Sequence, residues 1–354
     1  MNPLLEDVLN EPKALRETLR LYRSSFPAVL AKLGAERRPG GFAQVVLTGM
    51  GSSYFAAVAA ANYLQTRDFA VTVVETGELL HYGVGTLAPG SLVVLTSQSG
   101  ETVEALRLLD LLQAREGVTV LAVTNTPQSS LAKRAALCLH LQTAKDHSVA
   151  IKTYVSSIMA LTLVAGALLG EDFEATATYL ERGLASLALQ ASRLGEAAPA
   201  VAAFLGDAPY VELIGRGPSM ASALGGALLL REASKVFGAA ITGGQVRHGA
   251  VEVIAPGYVA VLFAPTGRSN ALQRQLAREI VGYGGRVVLL APSGAGWDGE
   301  PTDALLEVAV EAPDEYLATL IEIVPLQMVS YLLAVRRGVD PGQFVNTAPV
   351  ILAE

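Results

Sequence analysis

The sequence predicts an α/β chain of two doubly wound, three-layer αβα domains, each built on a parallel sheet. Short apolar runs, such as residues 45–49, 92–95 and 118–123, alternate with Ala- and Leu-rich stretches of helical period. The runs are apolar throughout instead of alternating with polar residues, as strands covered on both faces require. The pattern then repeats. Residues 211–217 (Val-Glu-Leu-Ile-Gly-Arg-Gly) resemble residues 45–51 (Val-Val-Leu-Thr-Gly-Met-Gly), and Gly215 lies 166 positions after Gly49. At nearly the same offset, residues 258–267 match 92–100 and residues 286–291 match 118–123. Three strands repeated in one order predict an internal duplication.

In chain order, residues 4–33 read as an amphipathic helix packed outside the first half. The strand at 45–49 ends in Gly49-Met50-Gly51 and leads into an Ala-rich helix. The strand at 92–95 leads through Thr96-Ser97-Gln98-Ser99-Gly100-Glu101-Thr102 into a helix over 103–112. Residues 153–170 are apolar enough to suggest a membrane span. Their Ser, Thr and Gly content, and a length short of the roughly 20 apolar residues a span needs, favour a helix buried between layers. A helical connection over 172–205, punctuated by Pro199 and Pro209, separates an N-terminal domain over residues 1–195 from a C-terminal domain over residues 205–354.

Composition narrows the function classes. The chain has 354 residues, 51% of them hydrophobic, and a net charge of −7. No basic stripe appears, so a nucleic-acid surface is not expected, and an anion site must be built locally. One cysteine, Cys138, allows no internal disulfide and reads as a small buried hydrophobe in a reducing compartment. The N-terminal residues carry Glu6, Asp7 and Glu11 and no apolar signal core, so a cytoplasmic protein without a membrane partner is expected. No His, Cys or carboxylate cluster has metal-ligand spacing, and Gly49-x-Gly51 and Gly215-x-Gly217 are too short for a dinucleotide fingerprint. No cofactor is expected.

The 96–102 turn is the densest chemical signal. Four hydroxyls and a glycine stand where a strand meets a helix, which is a way to hold a phosphate without a cation. Ser99 or Thr102 alone would serve as an ordinary helix cap; four hydroxyls together point to a ligand. Only the first half carries this turn; the second has Ala264-Pro265-Thr266-Gly267 in its place.

This turn, with Leu213-Ile214-Gly215-Arg216-Gly217 and Arg247-His248-Gly249, resembles the tandem SIS (sugar isomerase) domain family. In particular it resembles the isomerase half of glucosamine-6-phosphate synthase, from about Gly41 to the C-terminus. The resemblance implies that Gly51, Ser52, Ser53, Ser97, Gln98, Ser99 and Thr102 hold a sugar phosphate. It implies that Val149, Ala150 and Lys152, in Ser148-Val149-Ala150-Ile151-Lys152-Thr153-Tyr154, close the sugar pocket. It places a catalytic glutamate at Glu232 and a ring-opening histidine at His248, sixteen positions later. The family's histidine comes from a neighbouring subunit, which implies a homodimer.

The chemistry suits those types. Aldose–ketose interconversion moves a proton between C1 and C2, and one carboxylate of raised pKa can take and return it. A histidine can shuttle protons at the ring oxygen. Read without the resemblance, Glu232 is a solvated helix residue paired with Lys235, and His248 a capping or interface histidine. His81, His140 and His147 receive structural readings.

The chain also departs from the synthase pattern. Leu229 stands where the synthase has a lysine, Gly225 where it has a further glutamate, and the tail presents Asn346 at the Schiff-base lysine position. Asparagine forms no imine. No cysteine follows Met1, so no glutaminase is implied within this chain. Isomerisation of a hexose 6-phosphate such as fructose 6-phosphate or glucosamine 6-phosphate is the leading expectation. Deamination or deglycation of an aminated sugar phosphate, sugar-phosphate binding without catalysis, and an ammonia-using synthase-like reaction are the alternatives.

Overall fold

The protein is seen in a computed structural model that describes residues 1–36, 41–294, 297, 302–346, 348 and 350–352. The chain forms two compact units. The first takes residues 13–146, 150–181 and the segment from 344 onward; the second takes residues 1–12, 147–149 and 182–343. The units do not part at one point of the chain. Two long helices, α1 (Pro3–Glu36) and α7 (Phe173–Leu205), each contribute to both.

The first unit carries β1 (Val45–Gly49), α2 (Ser52–Gln65), β2 (Thr72–Glu75), the short α3 (Thr76–Glu78), β3 (Leu92–Thr96), α4 (Val103–Gln113), β4 (Thr119–Thr124), α5 (Ser130–Arg134), β5 (Leu137–His140) and α6 (Lys152–Leu169). Its strands are all parallel, in the order β2-β1-β3-β4-β5. The order therefore reverses between β1 and β3, where Gly49 lies in register with Thr96. Val46, Val93 and Leu95 of the sheet pack on Leu108, Leu109 and Leu112 of α4. The apolar α6 is a core helix, with 89% of its length buried inside the fold.

The second unit carries β6 (Tyr210–Gly215), α8 (Ser219–Ser234), β7 (Phe237–Thr242), the short α9 (Gly243–Val246), β8 (Val259–Phe263), α10 (Asn270–Gly282), β9 (Arg286–Ala291), β10 (Leu305–Ala309) and α11 (Val324–Arg336). Its strand order, β10-β9-β8-β6-β7, is that of the first sheet read from the other end. All pairings are again parallel, so the duplication extends to topology. The predicted pairs of runs are β1 with β6, β3 with β8 and β4 with β9. A second apolar stretch, Leu317–Arg336, is also mostly buried, at 78%. Pro199 lies inside α7 and does not end it.

Both units bring the first helix onto the end of the first strand in one way. A Cβ at Gly49 would lie 2.8 Å from the main chain of Ser53, and one at Gly215 would lie 2.6 Å from the main chain of Ser219. Backbone cannot yield as a side chain can. Gly49→Ala and Gly215→Ala are therefore each expected to destabilise the protein by about 1–3 kcal/mol. Gly34, inside α1 with open space where a methyl group would go, should behave oppositely: Gly34→Ala is expected to stabilise by up to about 1 kcal/mol through helix propensity alone. Urea midpoints of the three variants check the two signs.

Candidate functional site

The candidate residues fall into two groups, one in each unit. The first unit holds Gly51, Ser52, Ser53, Ser97, Gln98, Ser99, Thr102, Ala150, Lys152 and Asn346; the second holds Val149, Glu232 and His248.

In the first unit the Gly51 turn and the 97–102 turn follow neighbouring strands, β1 and β3, at the reversal of strand order. Ligands of doubly wound sheets bind at that point. Gly51 has φ +50° and Gly100 φ +66°, both in the left-handed region. A side chain at Gly100 would also run into Ser129. The second turn is pinned from below: Asn125 N donates to the Gln98 carbonyl at 3.0 Å and Leu131 N to the Gly100 carbonyl at 3.1 Å. Glu101 accepts from Ser130 N at 2.7 Å. The hydroxyls are held in place: Ser97 Oγ lies 3.1 Å from Thr102 Oγ1 and accepts from Gly100 N, and Ser99 Oγ accepts from Glu101 N. Ser53 and Ser97 are buried, while Ser52, Gln98, Ser99 and Thr102 are half-buried.

Neither α2 nor α4 has a side-chain N-cap. Two helix starts without side-chain caps, with fixed hydroxyls around them, are an arrangement able to hold an anion without a cation. Thr102 therefore does not act as an ordinary cap. One first-turn amide of α4, Val103 N, donates to the Ile351 carbonyl of the C-terminal segment.

Lys152 opens α6 and is 4% exposed. Its Nζ donates to the Lys145 carbonyl at 3.2 Å and lies 3.8 Å from Asp146 Oδ1. Asp146 caps α6 by accepting from the amides of Ile151, Lys152 and Thr153 and from Thr153 Oγ1. Burial outweighs these bonds and raises its carboxyl above the usual range. Asn346 is exposed.

In the second unit Glu232 sits near the end of α8. No hydrogen bond or ion pair among the described residues reaches its carboxylate. Burial pushes it from 4.5 up to about 7, against a smaller pull from Lys235. The expected pair with Lys235 does not form. Lys235, in left-handed conformation at the helix end, turns its Nζ to two carbonyls, that of Glu232 at 2.5 Å and that of Gln343 at 2.6 Å. Beside it, Gly342 N donates to the Ala233 carbonyl, and Gly342 packs against Ser148. Leu229, at the synthase-lysine position, is buried.

His248 is exposed in the loop after α9, and no contact among the described residues joins it to Glu232. Its loop is held: Thr242 Oγ1 caps α9, His248 N donates to the Gln245 carbonyl, and Arg247 Nε reaches Glu279 Oε2 at 2.9 Å. Burial pulls Glu279 upward, but bonds from Arg247 and Gln275 outweigh it and leave the carboxyl below its ordinary value.

Two features have no counterpart in the sequence reading. His147 is bound to Asp7, its amide donating at 2.7 Å and Nδ1 lying 2.8 Å from the carboxylate; the two are 140 positions apart. Glu322, wholly buried, accepts from Ser219 Oγ at 3.1 Å. A glutamate inside an apolar run was the available signal for the second.

Residues 43–167 match the SIS domain family. Along 99% of its length the chain is 28% identical to the glutamine–fructose-6-phosphate aminotransferase [isomerizing] of Thermococcus kodakarensis, and it spans 58% of that protein. The C-terminal domain of glucosamine-fructose-6-phosphate aminotransferase from Francisella tularensis superposes with a TM-score of 0.85 at 21% identity, over 96% of this chain and 97% of that one. The tagatose-6-phosphate ketose/aldose isomerase of Escherichia coli superposes with a TM-score of 0.80 at 18% identity, over 100% of this chain and 96% of that one. The SIS domain match thus spans the cradle-bearing sheet, and the same sheet order is built twice along the chain.

Proposed function

We propose that the protein is a phosphosugar isomerase acting on a hexose 6-phosphate such as fructose 6-phosphate or glucosamine 6-phosphate. The observation that carries the reading is the pair of uncapped helix starts at β1 and β3 with Ser53, Ser97, Ser99 and Thr102 around them. That arrangement supplies what a phosphate dianion needs in a chain of net charge −7.

Glu232 is the group suited to carry the proton. A carboxyl near pH 7 is ionised enough to take a proton from C1 or C2 and basic enough to hold it. The C–H electron pair moves into a C1–C2 double bond as the carbonyl oxygen is protonated, giving an enediol. Return of the proton to the other carbon completes the isomerisation. The exposed His248 is assigned to ring opening, and its exposure fits use by a second copy in a homodimer.

Transfer of nitrogen through an imine is disfavoured. Leu229 and Asn346 offer no amine, and the buried Lys152 is committed to the Lys145 carbonyl and to Asp146.

Three variants test the reading with purified protein and hexose 6-phosphates. Glu232→Gln is expected to lower kcat by about 10²–10⁴-fold with KM little changed. The rate of the wild type is expected to fall as pH drops below about 7, the value to which burial lifts this carboxyl. Ser97→Ala and Ser99→Ala are expected to raise KM, each removing a fixed hydroxyl from the cradle. Full activity in Glu232→Gln would remove Glu232 from the reaction. Binding without turnover in the wild type would leave a sugar-phosphate-binding protein.

Glu232 also carries a stability signature. Below pH 4.5 the carboxyl is protonated in folded and unfolded chains alike. As pH rises towards about 7 the unfolded chain ionises first and gains on the folded one. Glu232→Gln is therefore expected to stabilise the protein at pH 8, on the order of 2 kcal/mol after allowing for partial exposure, and to have little effect at pH 4.5. Denaturant titrations at the two pH values check this.

A further inference from the structure

The duplication invites a comparison of the two sheets at one place, the carboxyl ends of their first and third strands. Ser219 is the counterpart of Ser53: each follows its strand's terminal glycine by four positions, and each crowds that glycine with its own main chain. Gly267 is likewise the counterpart of Gly100 in the second turn. In both units the helices starting here have no side-chain caps; in the first unit hydroxyls surround them. In the second unit the same place is filled by the chain's own carboxyls.

Glu322 lies at the start of α8. It is 1% exposed, and its Oε2 accepts from Ser219 Oγ at 3.1 Å. Its other oxygen, Oε1, is buried with no hydrogen-bond partner. Glu315 lies at the turn before α10. Its Oε2 accepts from Arg268 N at 2.9 Å and sits where a side chain on Gly267 would go; Arg268 Nε is 3.8 Å from Oε1. The donors Ser97, Gln98 and Ser99 have given way to Ala264, Pro265 and Thr266. Both glutamates come from the short segment that precedes α11, so one stretch of chain serves both helix starts. A carboxylate at a helix N-terminus meets the electrostatic demand that a phosphate would meet.

We propose that the second sheet carries a closed copy of the phosphate cradle, in which Glu315 and Glu322 occupy the place of a phosphate dianion. A dianion enters this copy only when the two carboxylates are removed. The chain accordingly takes one phosphate and not two. The proposal rests on reading the first cradle as a phosphate site, and the test separates the two.

Equilibrium dialysis with radiolabelled inorganic phosphate counts the ions bound per chain. The wild type is expected to bind one, and Ser97→Ala/Ser99→Ala none. Adding Glu315→Ser/Glu322→Ser to that background is expected to restore binding from below detection to one ion per chain. Two ions on the wild type, or saturable binding that survives Ser97→Ala/Ser99→Ala, would overturn the closed copy. So would a folded quadruple variant that binds none. A wild type that binds none, with a glutamate variant that binds one, would support the closed copy while removing the phosphate reading of the first cradle. If the serine pair does not fold, Glu315→Ala/Glu322→Gln in the same background takes its place. Phosphate is then expected to raise its melting temperature but not that of the background protein; no rise overturns the proposal.

Discussion

The proposed function turns on holding a dianion without a cation. The chain is acidic overall, and residues 96–102 contain neither lysine nor arginine. Positive potential must then come from the backbone. Two parallel strands ending side by side, each leading through a turn into a helix without a side-chain cap, bring two helix dipole ends to the reversal of strand order. This requires the helices to start close to the strand ends, and Gly49 permits that approach. It requires sharp turns, and Gly51 and Gly100 permit the positive φ angles. It also requires starts free of side-chain caps, and Ser97 and Thr102 bond to each other instead of capping α4.

The duplicated half shows what the same frame becomes without that demand. Its sheet order is unchanged, yet its helix starts are met by Glu322 and Glu315. The cost of enclosing Glu322 is visible in its protonation: burial lifts it to about 7 against the pull of the Ser219 hydroxyl. The freed half contributes Glu232 instead. That carboxyl is raised for a related reason. It is half-buried, and the lysine three positions on spends its ammonium on two main-chain carbonyls. Desolvation without a bonded counter-charge is what turns an ordinary glutamate into a base near neutral pH.

Much of this is legible in the sequence, and the division between what is and what is not follows burial. The central strands β1, β3, β4, β6, β8 and β9 are covered on both faces and stand out as apolar runs. The strands missed, β2, β5, β7 and β10, are the four sheet edges. They are short and less deeply buried than the central strands, as in Thr72–Glu75 and Phe237–Thr242. The 96–102 turn stood out in the sequence because its four hydroxyls lie within seven residues. The bond between His147 and Asp7 was not, because it joins residues 140 positions apart. The ion pair expected between Glu232 and Lys235 satisfied helical spacing but failed because Lys235 leaves the helix in a left-handed conformation. Pro199 suggested a helix end and lies within one.

The most direct measurement is proton exchange from solvent into the sugar, followed by NMR in D₂O with fructose 6-phosphate and glucosamine 6-phosphate. The wild type is predicted to place deuterium at C1 of the ketose or C2 of the aldose, with Glu232→Gln losing that exchange while still broadening the ligand lines. Exchange at the wild-type rate in Glu232→Gln would contradict the assignment of the proton to Glu232. Absence of both exchange and broadening in the wild type would contradict the hexose 6-phosphate reading itself.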